Sequence, residues 1–212
     1  MLTFDNIFFI FLAYLTGAFP SAVWVGRSFF DTDVREYGSG NAGATNTFRV
    51  LGVKAGLPVL ILDVLKGWLA VKYAHFIQLG YVSDEYFFEL QLTLGIAAVV
   101  GHLFPVYTGF RGGKGIATML GLLIGLHPLA AIICFVIFLI VFFISRYVSL
   151  GSLVAALFFP IVVILVFESV NSSLNLFSIF VPILSLITHQ KNIERLLRHE
   201  ESKVNFEKKR YE

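Results

Sequence analysis

The chain is poor in most of what a soluble domain is made from. Only 14% of its 212 residues are Asp, Glu, Lys or Arg, against about 25% in ordinary soluble domains. That shortage excludes a well-hydrated globular surface. Cys134 is the lone cysteine, so there is no disulfide framework and no thiolate metal site to argue for. His75, His102, His127, His189 and His199 are scattered along the chain, and no spacing among them suits a metal ion. The first apolar run has no Lys or Arg before it and continues past Pro20 into polar sequence, so a cleavable signal peptide is not expected. A nucleotide loop is missing as well. The first glycine of a Walker A spacing would fall at Thr108, and Gly115 follows Lys114 where Ser or Thr is required. The H-x-x-x-x-D pattern of one class of acyltransferases is absent: the fifth residue after His102 is Tyr107, and after His189 it is Glu194.

What the chain does have is apolar bulk. Hydrophobic residues make up 57%, aromatics 16%, and 23 residues are Phe. In lipid every backbone N–H and C=O must be paired within the protein, which leaves helices or a closed barrel. The apolar runs are continuous, not alternating, and that selects helices. With about 20 residues needed per crossing, the runs predict spans near Ile7–Val25, Gly56–Tyr73, Phe87–Leu103, Ile116–Leu126, Leu129–Ile144, Leu150–Phe167 and Leu174–Ile187. The fourth has only eleven residues. Pro20 and Ser21 predict a kink in the first, with the freed carbonyl repaired by a neighbour. Gly121 and Gly125 permit close helix packing.

Seven crossings put the termini on opposite sides. Fourteen of the Lys and Arg residues lie near one set of loop ends; Lys72 alone lies on the other, and Lys66 lies inside the second span. The positive-inside rule then places the C-terminus in the cytoplasm and the N-terminus outside. The expected architecture is an all-α polytopic membrane protein with one seven-helix domain over residues 1–201 and a charged cytoplasmic tail over 202–212.

That orientation gathers the polar sequence on the cytoplasmic face. Between the first two spans lies Gly38-Ser-Gly-Asn-Ala-Gly-Ala-Thr-Asn-Thr-Phe-Arg49. Glycines allow φ > 0, so backbone N–H groups can turn inward as an anion-binding nest. Ser39, Gly40, Asn41, Gly43, Thr45 and Asn46 supply donors, and Arg49 supplies a fork that fits phosphate oxygens. The stretch reads as a phosphate cradle. A second glycine loop, Gly109–Gly115, holds Lys114 between Gly113 and Gly115, with Gly112 before them, and a helix starts just after it; this too is an anion site. Ser149 is expected to cap the sixth helix. His189 and Asn192 are three residues apart and share a face if the last helix continues. Asp63 and Lys66, three apart inside the second span, read as a structural ion pair or a tie to the loops.

These motifs resemble the bacterial acyl-phosphate:glycerol-3-phosphate acyltransferase family. The resemblance is carried by Gly38-Ser-Gly-Asn-Ala-Gly-Ala-Thr-Asn46, by Gly101-His-Leu-Phe-Pro105 with Gly112-Gly-Lys-Gly-Ile-Ala-Thr118, and by His189-x-x-Asn-Ile-x-Arg-Leu-Leu197 with Glu201. Phe19-Pro-Ser21, Asp63-x-x-Lys-Gly67 and Ser149-Leu-Gly-Ser152 also look like family positions. Two positions depart: Thr188 replaces an arginine that often precedes the histidine, and His199 stands where a glycine is usual.

The resemblance implies a multi-pass enzyme of the bacterial cytoplasmic membrane with its active site on the inner face. It would move a fatty acyl group from acyl phosphate to the 1-hydroxyl of glycerol 3-phosphate. Its partners would be those two substrates and membrane lipids, with no cofactor, metal or nucleic acid. Lys114, Arg49, His189 and Asn192 would be the catalytic set. Ser39, Gly40, Asn41, Gly43, Thr45, Asn46, Gly112, Gly113 and Ser149 would bind phosphate. The rival reading is a transporter for a phosphorylated solute, which would also want basic glycine loops in a helix bundle. The chain has no internal repeat, and its polar residues lie nearly all at one face, which favours chemistry there over passage.

Overall fold

The computed structural model describes residues 4–77 and 83–204. Lys208, Lys209 and Arg210 of the expected tail lie outside the described residues. The described chain is all-α and groups into two compact units, Met1–Pro128 and Leu129–Glu212.

In the first unit the helices are α1 (Phe4–Ala18), α2 (Ser21–Phe30), α3 (Ala44–Leu51), α4 (Val53–Lys72), α5 (Asp84–Leu103) and α6 (Ile116–Leu126). The expected kink is a full break. Helix α1 stops before Phe19-Pro20, and α2 leaves at 43° to it. The Phe19 carbonyl released by the break accepts from Ser21 N at 3.0 Å and from Lys66 Nζ of α4 at 3.2 Å. Helix α3 departs from expectation: the second half of the first glycine motif is not loop but helix. It begins after Gly43, and its polar side buries Asn46 and Thr47.

Two glycine crossings set the helix spacing. A methyl group on Gly17 would lie 2.0 Å from Ala98 O, and one on Gly101 2.2 Å from Tyr14 O, so α1 and α5 touch backbone to backbone. Helices α4 and α6 repeat the arrangement. A methyl on Gly67 would lie 2.1 Å from Thr118 O, and one on Gly121 1.9 Å from Val64 O. Gly125 packs on the side chain of Val71. Small residues at such crossings replace the hydrophobic drive that lipid does not provide.

The second unit contains α7 (Pro128–Ser145), α8 (Val148–Ile161), a π-helical turn (Val162–Val166) that extends α8, α9 (Ser172–Thr188) and α10 (Gln190–Leu197). Helix α8 packs against α9, where Phe159 meets Phe177 edge-on at 6.2 Å between ring centres. Asn171 caps α9, its side chain accepting from Leu174 N at 2.8 Å. Helix α10 turns 66° away from α9 at His189.

Three helical segments among the described residues are long and apolar enough to cross a membrane, or five if each bent pair counts as one span. Of the remaining two expected crossings, α4 carries Lys54, Asp63, Lys66 and Lys72, and α6 has only 11 residues.

Candidate active site

In the first unit the glycine motif is built around Asn46. Its Nδ2 donates to Val34 O at 2.7 Å and to Tyr37 O at 3.1 Å; its Oδ1 accepts from Ser39 N at 2.8 Å and from Ser39 Oγ at 3.1 Å. Both donors and both lone pairs of the amide are therefore used inside the protein. Asn46 is thus the buttress of the loop. Gly38 and Gly40 take φ of 62° and 70°, the left-handed region that suits glycine. Gly43 is extended, at φ −143°, so the expected inward turn is made by two glycines of the three. The N–H groups of Asn41, Ala42 and Gly43 donate to no carbonyl among the described residues, and α3 begins directly behind them. Thr45 is exposed on the first turn of α3. Arg49, one turn later, is exposed too, and a methyl on Gly38 would lie 3.5 Å from its Cδ. The guanidinium stem thus lies beside the loop.

The second glycine loop abuts the first. A methyl on Gly113 would lie 3.1 Å from Ala42 O, and Arg35 Nη1 donates to Thr108 O at 3.3 Å. Arg35 is itself fixed by Asp33, whose Oδ2 also accepts from Arg27. The hydrogen bond from Arg35 outweighs burial and holds the Asp33 carboxyl down at about 2. Gly113 N donates to His102 O at 3.1 Å. Lys114 is half-buried beside Gly115, which takes φ 82° at the start of α6.

Beneath these loops is a buried polar cluster that residue-by-residue reading did not put in the site. Asp63 Oδ1 accepts from Ser21 Oγ at 2.5 Å and from Lys66 Nζ at 2.9 Å, and lies 3.6 Å from His102 Nδ1. The Asp63–Lys66 pair expected from sequence is present, and so is its tie to a loop carbonyl, at Phe19. A small cleft opens here, with Ser21, Lys66, His102, Thr108 and Gly112 among its lining residues.

The second unit has its own cluster, centred on Glu201. Its Oε1 accepts from Ser149 Oγ at 2.8 Å and Asn192 Nδ2 at 2.7 Å; its Oε2 accepts from Arg195 Nε at 2.8 Å. Burial pushes the Glu201 carboxyl up, but the bonds from Asn192, Arg195 and Ser149 together bring it below the ordinary glutamate value. Ser149 does not cap α8. That helix starts at Val148, and the hydroxyl turns to Glu201 instead. His189 closes α9 and opens α10, and Asn192 N donates to His189 O at 2.8 Å. The helix does not run straight on, so the two residues share a bend and not a continuous face. His189 Nδ1 lies 2.9 Å from Ser185 O; a carbonyl only accepts, so Nδ1 is the donor. In the sequence Glu201 stands within a motif but carries no role of its own. Its signal was the carboxylate nine residues after a buried Asn.

Both units thus carry preorganised donors of the kind that hold oxyanions. In the first, Ser39, Arg49 and the amides 41–43 belong to one loop that touches the loop of Gly112 and Gly113. In the second, Ser149, Asn192 and Arg195 are bound to one carboxylate beside His189. Comparison with known proteins agrees with the motifs. Residues 7–199 match the model of the glycerol-3-phosphate acyltransferase family. A glycerol-3-phosphate acyltransferase of Chlorobaculum tepidum is 40% identical over 233 residues, covering 99% of this chain and 100% of that one. A crystal structure of PlsY (YgiH), an integral membrane glycerol 3-phosphate acyltransferase, in its glycerol 3-phosphate form superposes with a TM-score of 0.81 at 34% identity, over 94% of this chain and 96% of that one. Its lysophosphatidic acid form gives a TM-score of 0.78 at 33% identity, over 94% and 95%. The chain is a multi-pass membrane protein, and it belongs to the glycerol-3-phosphate acyltransferase family.

Proposed function

We propose that this protein transfers a fatty acyl group from acyl phosphate to the 1-hydroxyl of sn-glycerol 3-phosphate. The products are 1-acyl-sn-glycerol 3-phosphate (lysophosphatidate) and inorganic phosphate, and the step opens phospholipid synthesis. The observation that carries the reading is the contact of two glycine loops, Gly113 against Ala42, with Arg49 and Lys114 in those same motifs. The glycerol 3-phosphate and lysophosphatidic acid forms of PlsY support the acceptor and the product.

Acyl phosphate is a mixed anhydride and is already activated. The substrate hydroxyl oxygen attacks the acyl carbon, the carbon–oxygen bond to phosphate breaks, and phosphate leaves with the electron pair. Little covalent work falls to the protein, so positioning and charge stabilisation dominate. Ser39, Gly40, Asn41, Gly43, Thr45, Gly112 and Gly113 hold phosphate; Arg49 and Lys114 neutralise its charge. Ser149 bonds to Glu201, which also holds Asn192, and acts as a positioning residue. His189 and Asn192 orient the attacking hydroxyl. With Nδ1 donating to Ser185, the His189 nitrogen able to take a proton is Nε2; a phosphate oxygen of the donor is the alternative acceptor. No cofactor or metal enters the scheme. We place the protein in the bacterial cytoplasmic membrane with seven crossings, α4 and the short α6 included, and the glycine loops and C-terminus in the cytoplasm. The charge asymmetry of the loops supports that orientation.

The donor is tested by incubating the purified protein with glycerol 3-phosphate and either palmitoyl phosphate or palmitoyl-CoA. Lysophosphatidate from palmitoyl phosphate alone is the expected result. Product from palmitoyl-CoA alone would overturn the donor assignment. Solute uptake into vesicles without any acylated product would favour a transporter.

A further inference from the structure

The buried cluster below the loops is not used by the reaction scheme, yet it is placed to control it. We infer that His102 is a positioning residue: its ring, packed beside Asp63, is the floor on which the second glycine loop rests. The inference depends on the reading that this loop grips a substrate phosphate.

The geometry is specific. His102 lies in the last turn of α5 and is only 6% exposed. Its own carbonyl accepts from Gly113 N. A methyl on Gly112 would lie 2.0 Å from that same carbonyl oxygen, and a methyl on Gly113 would lie 2.1 Å from the ring Nε2. The loop therefore lies flush on the residue, with Gly112 over the backbone and Gly113 over the ring. Neither glycine needs a left-handed conformation here; each is small because His102 is underneath. Neighbouring Gly101 is pressed against the α1 backbone at Tyr14, so this end of α5 cannot slide to make room.

The other side of the ring faces charge. His102 Nδ1 makes no hydrogen bond among the described residues and sits 3.6 Å from Asp63 Oδ1, the oxygen that also takes Ser21 and Lys66. Lys66 in turn holds the Phe19 carbonyl at the break between α1 and α2. One carboxylate thus joins the start of α2, the middle of α4 and the end of α5. Burying such groups is costly, and apolar replacements often stabilise a fold as well or better. What a polar cluster adds is a defined position. A phosphate site that works by positioning loses much of its effect with displacements of about 1 Å. Without the ring, the loop has a void beneath Gly113, and only the backbone bond from Gly113 N to His102 O still holds it there.

Steady-state kinetics on His102→Ala, His102→Gln and Gly113→Ala test this, with thermal unfolding in detergent as the control for folding. For His102→Ala the expected result is a rise of at least about tenfold in KM for one of the two phosphorylated substrates. KM for the other should stay within about twofold, and kcat should fall less than that KM rises. His102→Gln, whose amide reaches the Nε2 position, should recover part of the loss. Gly113→Ala should raise the same KM, and the double variant should be little worse than either single one, because both disturb the same loop-to-ring contact. A folded His102→Ala, or His102→Gln if the alanine variant does not fold, with both KM values unchanged would overturn the role while leaving the reaction intact. So would multiplicative effects in the double variant. No turnover by the wild-type protein would overturn the reaction, and this role with it.

Discussion

Asn192 donates from Nδ2 to Glu201 Oε1 across 2.7 Å, and Ser149 donates to the same oxygen. The amide of Asn192 is thereby fixed in one orientation by a residue that touches no substrate in our scheme. Replacing Glu201 with Ala leaves both partners buried with a missing acceptor and releases Arg195. Each unsatisfied buried group costs about 1–3 kcal/mol, so Glu201→Ala should lose about 2–4 kcal/mol of stability. Glu201→Gln keeps one acceptor oxygen and should lose less, while turnover falls because Asn192 can rotate. Thermal unfolding and turnover measured on both variants check this; equal stability of all three proteins would contradict it.

The pH response should be acid-sided. Asp33 titrates at about 2 against an ordinary 3.8, and Glu201 below an ordinary 4.5. A carboxylate lowered by folding contributes its stability in full above the unfolded value and loses it as pH falls through the folded one. The melting temperature should hold steady down to about pH 4.5 and then decline toward pH 2. Asp33→Asn should start lower at neutral pH and lose part of that acid slope. A slope unchanged in Asp33→Asn would remove Asp33 as a source.

His199 takes φ 60° at the end of α10. Glu200 N bonds back to Arg195 O at 2.8 Å and His199 N to Leu196 O at 3.2 Å, the Schellman pattern that normally ends in glycine. This reversal returns Glu201 toward Ser149 and Asn192. His199→Gly should be neutral or stabilising by up to about 1 kcal/mol, since the left-handed region is open to it. His199→Val should cost about 1–2 kcal/mol, because a β-branched residue resists that region. Denaturant unfolding of the two variants tests the sign; a more stable valine variant would contradict the account.

Arg49 is exposed, and among the described residues it is paired with no carboxylate, so its charge is open to a ligand. Arg49→Ala should lower the rate at least about tenfold, the loss of one transition-state charge contact, with little change in melting temperature. Unchanged turnover would remove Arg49 from the site.

Much of this was legible in the sequence. Continuous apolar runs marked α4, α5, α7, α8 and α9 to within a few residues, and Pro20 marked the break after α1. Helix α3 was not legible, because Gly38–Gly43 and the polar residues after it read as one loop; Asn46 becomes helical by tying Val34, Tyr37 and Ser39 together. The spacing that marks Asn46 as a candidate ligand also makes it a buttress. Ser149 was misread as a cap because its acceptor, Glu201, is 52 residues away in sequence. His102 was hidden for a similar reason: what it does depends on the loop above it and the carboxylate of α4 behind it, neither of which is its neighbour in the chain.

The most direct test is phosphate release by the purified protein in detergent with palmitoyl phosphate, with and without glycerol 3-phosphate. The account predicts release that needs both substrates and matches lysophosphatidate formed mole for mole. A folded protein that releases no phosphate, or releases it equally without glycerol 3-phosphate, would contradict it.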